Sequence, residues 1–212
     1  MTNALRVQMK GYLLYIFDLD GTLVDSANGL INCYRRALDK LDLEYDADDI
    51  INFTMEPLYA TYSRFKGPKA EFETFENAMF KEYRTSLNSN SIPYSDTRYT
   101  LQRIADDGLP MCIATRSTCK RANEVLRIHD LIQYFDHVIG HENVTKQKPD
   151  PECLEICTSF YNIEKKDILF VGDGETDMMA AKAFGIDGAF IDRDGTNDCD
   201  CTYKIKSLRE LF

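Results

Sequence analysis

YLLYIFDLDGTLVDS, residues 12–26, carries the clearest structural signal in the chain. It begins with six consecutive apolar residues, 12–17, a run typical of a strand buried in a parallel sheet. Asp18 and Asp20 follow at alternate positions, and we predict that they bind a cation because unpaired buried carboxylates are costly. Gly21 permits a sharp turn whose backbone N–H groups can approach an anion such as phosphate. Taken alone, the stretch would also fit an ordinary strand end followed by an Asp-Gly turn.

The composition indicates a soluble, globular protein of 212 residues, with 44% hydrophobic and 28% charged residues. Its formal net charge of −10 argues against nucleic acid or an anionic membrane as a partner, because both demand a basic surface. No apolar run approaches the roughly 20 residues of a membrane span, and the N-terminus lacks the features of a signal peptide. Seven cysteines without a C-x-x-C pair are typical of reduced thiols. We therefore expect a cytoplasmic protein.

The segment after the first strand reads as helical. Apolar residues recur at helical spacing in three segments, 27–41, 46–65 and 72–87. The last is aromatic-rich, and we interpret its stripe as core between helices rather than a cofactor site. Residues 87–93, LNSNSIP, resemble a linker. We predict a helical domain over residues 27–90, inserted into a core domain of residues 1–26 and 91–212.

Beyond Pro93, strands and helices alternate, which predicts an α/β fold with a parallel sheet. Strands are predicted at 110–115, 137–139, 168–171 and 188–191, and helices at 96–106, 118–127, 152–161, 178–184 and 207–211. The strand 110–115 ends in Thr115, and the strand 168–171 runs into Asp173 and Asp177. Lys148 lies in a proline-pinned loop before the helix 152–161.

These polar residues form complementary parts of one predicted site. Ligands of an open parallel sheet bind beyond the carboxyl ends of the strands, where the strand order reverses. Carboxylates there can hold a hard divalent cation, Thr115 and backbone N–H groups can donate to phosphoryl oxygens, and Lys148 can neutralise the accumulated negative charge. Each feature alone is common, but their joint occurrence predicts a site for phosphate and a metal ion.

Four motifs in this order resemble those of the haloacid dehalogenase-like superfamily. They are DLDGT at 18–22, the strand-end Thr115, Lys148 in KPDP, and GDGETD at 172–177. The resemblance covers essentially the whole chain. It implies a Rossmannoid parallel-sheet core with an inserted α-helical cap, of the type found in phosphoglycolate phosphatase and β-phosphoglucomutase.

The resemblance also implies roles for individual residues. Asp18 would be the nucleophile that becomes an aspartyl phosphate, and Asp20 the general acid and base. Mg²⁺ would bind the side chains of Asp18 and Asp173 and the carbonyl of Asp20, with Asp177 supporting that shell. Thr115 and Lys148 complete the expected catalytic set. The residues expected to bind the substrate or its phosphate are Leu19, Gly21, Thr115, Arg116 and Lys148; for Arg116, a surface salt bridge is the alternative.

The function implied is a magnesium-dependent phosphatase acting on a small phosphorylated metabolite, as a monomer or homodimer. Dehalogenation is excluded, because dehalogenases need no magnesium and lack the second Asp that Asp20 supplies. A phosphomutase of the β-phosphoglucomutase type, which returns the phosphoryl group to a sugar, is the main alternative. Phosphonate hydrolysis would need a cap lysine in a diagnostic context, and none is present. A non-catalytic binding protein is disfavoured because every expected catalytic position is filled.

Overall fold

The computed structural model describes residues 9–45, 50, 59, 62–63, 69–83 and 88–212. The chain divides into two compact units, Met1–Val24 with Pro93–Phe212, and Asp25–Ile92. Among the described residues, no helix has both the length and the apolar character needed to cross a membrane.

The elements of the described chain follow the predicted alternation. The strands are β1 (Leu14–Phe17), β2 (Val24–Asp25), β3 (Ile92–Pro93), β4 (Met111–Ala114), β5 (His137–Ile139), β6 (Ile168–Gly172), β7 (Asp187–Ile191) and β8 (Tyr203–Ile205). The α-helices are α1 (Ala27–Lys40), α2 (Lys69–Glu82), α3 (Asn88–Asn90), α4 (Thr97–Asp106), α5 (Cys119–Ile128), α6 (Glu152–Ser159) and α7 (Glu175–Phe184). Short 3₁₀ turns occur at Ile132–Tyr134, His141–Asn143, Lys165–Asp167 and Leu208–Leu211.

The first unit is built on a six-stranded sheet in the order β5-β4-β1-β6-β7-β8. Every neighbouring pair is parallel, so the predicted α/β parallel-sheet fold is confirmed. From β1 the chain adds β4 and β5 on one side, then β6, β7 and β8 on the other. The strand order thus reverses at β1, and the carboxyl end of β1 is where ligands of such sheets bind.

The strand β1 is buried on both faces. Tyr15 and Phe17 belong to one core cluster, and Leu14 and Ile16 to another. This alternation explains why every position of the strand is apolar. The predicted strand start at Tyr12 is wrong, because β1 begins at Leu14 and the preceding residue, Leu13, is 51% exposed.

Two further differences from the predicted elements concern the second half of the chain. The helix predicted to begin at Met178 begins at Glu175, so Asp177 lies in the first turn of α7. The strand β8 was not predicted, since its three residues include the exposed Lys204 and show no apolar run.

In the second unit, α1 and α2 share a core cluster. Its buried residues are Cys33, Tyr34, Ala37, Leu38, Ile50, Tyr62, Phe75 and Met79. The interpretation of the aromatic stripe as helix core is confirmed for Phe75 and Met79 and wrong for Phe80, which is 51% exposed. Glu82 lies at the end of α2 and forms ion pairs with Arg36 and Lys40. Most of the predicted helix 46–65, and the end of the helix 72–87, lie outside the described residues.

Candidate active site

The central strands of the sheet bring the predicted site residues together at the carboxyl ends of the strands. Asp18 follows β1, Thr115 follows β4 and Asp173 follows β6, and these three strands are neighbours in parallel register. The backbone N–H of Asp18 still donates to the Val171 carbonyl, at 2.9 Å, so the parallel ladder extends to the first carboxylate. All of these residues belong to the first unit.

Three carboxylates form a compact cluster at this edge. Oxygen atoms of Asp18, Asp173 and Asp177 all lie within 4.8 Å of one another. The Nζ of Lys148 lies 2.7 Å from Asp18 Oδ1 and 2.6 Å from Asp177 Oδ1, and it donates to the Ala114 carbonyl at 3.0 Å. One ammonium against three carboxylates leaves two negative charges. Hard oxygen donors with this excess charge fit a divalent cation such as Mg²⁺.

The pKa values of the cluster reflect burial and crowding. Burial raises the pKa of Asp18 well above its usual range, Lys148 opposes this rise, and the carboxylates of Asp177 and Asp173 add to it. Burial, with Asp177 beside it, raises the pKa of Asp173 to about 6. Burial alone would lower the pKa of Lys148, but Asp18 and Asp177 hold it above its usual value, so the lysine stays protonated. The carboxylates therefore need more positive charge than Lys148 supplies.

The turn after β1 is shaped to fit Asp173. Gly21 has φ +81°, and a Cβ atom there would lie 2.0 Å from Asp173 Oδ2, so a side chain has no room. The buried hydroxyl of Thr22 donates to Asp173 Oδ1 at 2.9 Å. Thr22 belongs to the DLDGT motif, but no sequence pattern predicts this contact.

The remaining predicted substrate-binding residues lie on the turns after β1 and β4. Thr115 is buried, and its Oγ1 accepts the Ser117 N–H at 3.1 Å. The Leu19 side chain is buried, and its carbonyl accepts N–H groups of the same turn. Arg116 is exposed, and no hydrogen bond or ion pair with another described residue fixes it. Its role at the substrate stays a prediction.

Asp20 has partners that were not predicted from the sequence. Arg121 donates from Nη1 to Asp20 Oδ2 at 2.6 Å and from Nη2 to Oδ1 at 2.8 Å. The Ser117 hydroxyl donates to Oδ2 at 2.8 Å and accepts from Arg121 Nη1 at 2.7 Å. The only available signal was position, since both residues follow the strand that ends in Thr115. The side chain of Asp20 is not part of the three-carboxylate cluster.

Comparison with known proteins gives a consistent family assignment. The chain is 29% identical over 184 residues to a phosphoglycolate phosphatase of Photorhabdus laumondii, covering 84% of this chain and 79% of that protein. It is 28% identical over 172 residues to the pyrophosphatase PpaX of Bacillus velezensis, covering 80% and 78%. A crystal structure of a haloacid dehalogenase-like hydrolase from Bacteroides fragilis matches with a TM-score of 0.79 and 28% identity, covering 95% of this chain and all of that one.

The family model described as haloacid dehalogenase-like hydrolase matches residues 15–191, most of the chain. That span includes every motif on which the sequence resemblance was based, from Asp18 to Asp177. The chain therefore belongs to the haloacid dehalogenase-like hydrolases.

Proposed function

We propose that this protein is a phosphatase that hydrolyses a small phosphorylated metabolite through an aspartyl phosphate formed on Asp18. The observation that best supports it is the buried cluster in which Asp18 meets Asp173, Asp177 and the protonated Lys148. The names of the relatives, phosphoglycolate phosphatase and pyrophosphatase, favour phosphate ester or phosphoanhydride hydrolysis. In this proposal the helical unit Asp25–Ile92 is the cap that selects the substrate.

A magnesium ion completes the proposed site. The side chains of Asp18 and Asp173 and the carbonyl of Asp20 would hold it, and Asp177 would support them. When bound, the ion would supply the positive charge that lets a carboxylate approach an anionic phosphate. Asp177 is well placed to orient Lys148, because its Oδ1 contacts Lys148 and its Oδ2 accepts the Gly174 N–H at 3.0 Å.

The chain's own groups would divide the chemistry into two displacements. In the first, an Asp18 oxygen forms a bond to phosphorus, the bond to the leaving oxygen breaks, and Asp20 gives that oxygen a proton. In the second, water attacks the phosphorus, Asp20 takes its proton, and Asp18 is released with inorganic phosphate. Lys148 and Thr115 would offset the charge on the phosphoryl oxygens in both.

The first test is phosphate release from a panel containing phosphoglycolate, pyrophosphate, phosphosugars and nucleotides. We expect release in Mg²⁺ from at least one member, and none in EDTA. Asp18→Asn should abolish it, because the nucleophile is gone, whereas the matched control Asp194→Asn changes an exposed aspartate and should retain it. Release by Asp18→Asn at the wild-type rate would refute the proposal. Isomerisation of a phosphosugar without release would identify the phosphomutase alternative.

The second test separates the two displacements with p-nitrophenyl phosphate. General acid–base help is worth roughly 10²–10⁴-fold per step, but nitrophenolate leaves with little protonation. Asp20→Ala should therefore slow mainly hydrolysis of the intermediate. We expect a stoichiometric burst of nitrophenol, slow turnover and phosphate retained on Asp18. Asp18→Asn should show no burst, and wild-type turnover by Asp20→Ala would contradict the acid–base role.

A further inference from the structure

We propose that Arg121, assisted by Ser117, is a positioning residue that fixes the ionised carboxylate of Asp20 to take the proton of the attacking water in the second displacement. The inference rests on the proposed function, in which Asp20 is the general acid and base. It concerns a contact between the turn after β1 and the first turn of α5 that none of the four motifs contains.

The contact restrains both the position and the rotation of the Asp20 carboxylate. The two terminal nitrogens of the Arg121 guanidinium bind different oxygens of Asp20, at 2.6 and 2.8 Å, so the planes of the two groups are linked. A single donor would leave the carboxylate free to rotate, whereas this fork does not. The Ser117 hydroxyl bridges the pair, donating to Asp20 Oδ2 and accepting from Arg121 Nη1. The Arg121 side chain is only 12% exposed, which limits competition from water.

The backbone that carries Arg121 is itself held in place. Thr118 caps α5, and its hydroxyl accepts the Arg121 N–H at 3.3 Å. The Ser117 carbonyl accepts the His141 N–H at 2.9 Å. Gly140 packs directly against this turn, since a Cβ atom there would lie 2.7 Å from the Ser117 carbonyl oxygen. Through Arg121, Asp20 is therefore connected to a backbone segment that these contacts hold in place.

Rigid placement matters because the carboxylate of Asp20 has to meet the proton of the attacking water. A displacement of about 1 Å in a catalytic group can cost on the order of 10²-fold in rate. Arg121 contacts Asp20 but not the cluster of Asp18, Asp173 and Asp177, according to the contacts of the described residues. Its loss should thus impair the step in which Asp20 acts as a base and leave the nucleophile in place.

The test uses Arg121→Met with p-nitrophenyl phosphate and rapid-mixing kinetics. We expect the burst to remain stoichiometric and the following turnover to fall roughly 10- to 100-fold, a milder form of the Asp20→Ala behaviour. Lys120→Met removes the same charge from the neighbouring exposed position of α5 and should match the wild type. Arg121→Lys keeps the charge but not the fork, so its turnover should lie between those of wild type and Arg121→Met.

The double variant Asp20→Ala/Arg121→Met distinguishes positioning from a general structural effect. If Arg121 acts through Asp20, the double variant should turn over no more slowly than Asp20→Ala alone. Multiplying effects, wild-type turnover in Arg121→Met, or full rescue by Arg121→Lys would each overturn the inference. If Asp20→Ala itself is as fast as wild type, the proposed acid–base role fails instead.

A second variant keeps the inference testable if Arg121→Met does not fold. Ser117→Ala removes only the hydroxyl that bridges the pair, and its folding can be checked by circular dichroism. We expect a few-fold slower turnover after an intact burst, with no additional slowing in an Asp20→Ala background. Unchanged turnover in both folded Ser117→Ala and folded Arg121→Lys would overturn the inference.

Discussion

Gly21 occupies a backbone position that a residue with a side chain could not take without moving Asp173. Two effects coincide there: φ is +81°, and the missing Cβ would lie 2.0 Å from Asp173 Oδ2. Gly108 has a similar φ of +69°, but a Cβ atom there would meet nothing within 4 Å. Substitutions at Gly21 and Gly108 can therefore separate the effect of backbone strain from the effect of displacing Asp173.

Alanine at Gly21 should lower the free energy of unfolding at least as much as alanine at Gly108, and only Gly21→Ala should affect catalysis. The left-handed backbone conformation alone should lower the free energy of unfolding of an alanine variant by roughly 1–2 kcal/mol at either position. Only Gly21→Ala should displace Asp173, a proposed metal ligand. It should therefore raise the Mg²⁺ concentration needed for half-maximal phosphate release. Urea unfolding and a magnesium titration measure the two effects. Equal magnesium dependence in the two variants would show that Asp173 is not displaced.

Sequence reasoning could predict the carboxylates of the site but not every partner. Asp18 and Asp173 follow apolar strands, and such a strand end places its side chains at the ligand-binding edge wherever the sheet forms. The contact of Arg121 with Asp20 depends on how α5 packs against the turn after β1. No local sequence pattern encodes that packing. Arg116 is predicted to bind substrate from its position beside Thr115, whereas the arginine that contacts a predicted catalytic residue is Arg121.

The strand β1 shows why the boundaries of an element are harder to predict than its existence. The run 12–17 is uniformly apolar, so nothing in it marks a start, and the structure begins the strand at Leu14. Tyr12 is buried for another reason, since its hydroxyl donates to Asp187 Oδ2 at 2.7 Å. The strand β8 was missed because three residues at the sheet edge give too short a pattern.

The adjacent leucines at the start of β1 provide a matched pair. Leu14 is completely buried and Leu13 is 51% exposed. Leu14→Ala should lower the free energy of unfolding by about 2–5 kcal/mol, because it leaves a cavity in the core. Leu13→Ala should change it by less than about 0.5 kcal/mol. Urea denaturation of both variants checks this, and similar losses would mean that the strand begins before Leu14.

Asp96 joins the middle of the chain to its C-terminal end. Its buried carboxylate accepts from Arg193 Nη1, from the Ser207 hydroxyl and from the Leu208 N–H. Arg193 also donates from Nη2 to the Thr22 carbonyl at 2.8 Å, next to the proposed site. Burial would raise the pKa of Asp96, but these hydrogen bonds, led by that from Arg193, hold it below its ordinary value.

This lowered pKa gives the stability of the protein a defined pH dependence. Since the folded state holds the Asp96 proton less tightly than the unfolded state, the contribution is fully present above the unfolded pKa of about 3.9 and is lost as pH falls through the folded value. Asp96→Asn should therefore cost about 3 kcal/mol at pH 7, as expected for one partner of a buried ion pair, and progressively less below about pH 4. Urea unfolding of wild type and variant from pH 7 to pH 3 measures the difference.

The exposed control Asp194→Asn should show no such convergence. A wild-type advantage that stays constant over this range would mean that the ionised form of Asp96 is not what ties these segments together.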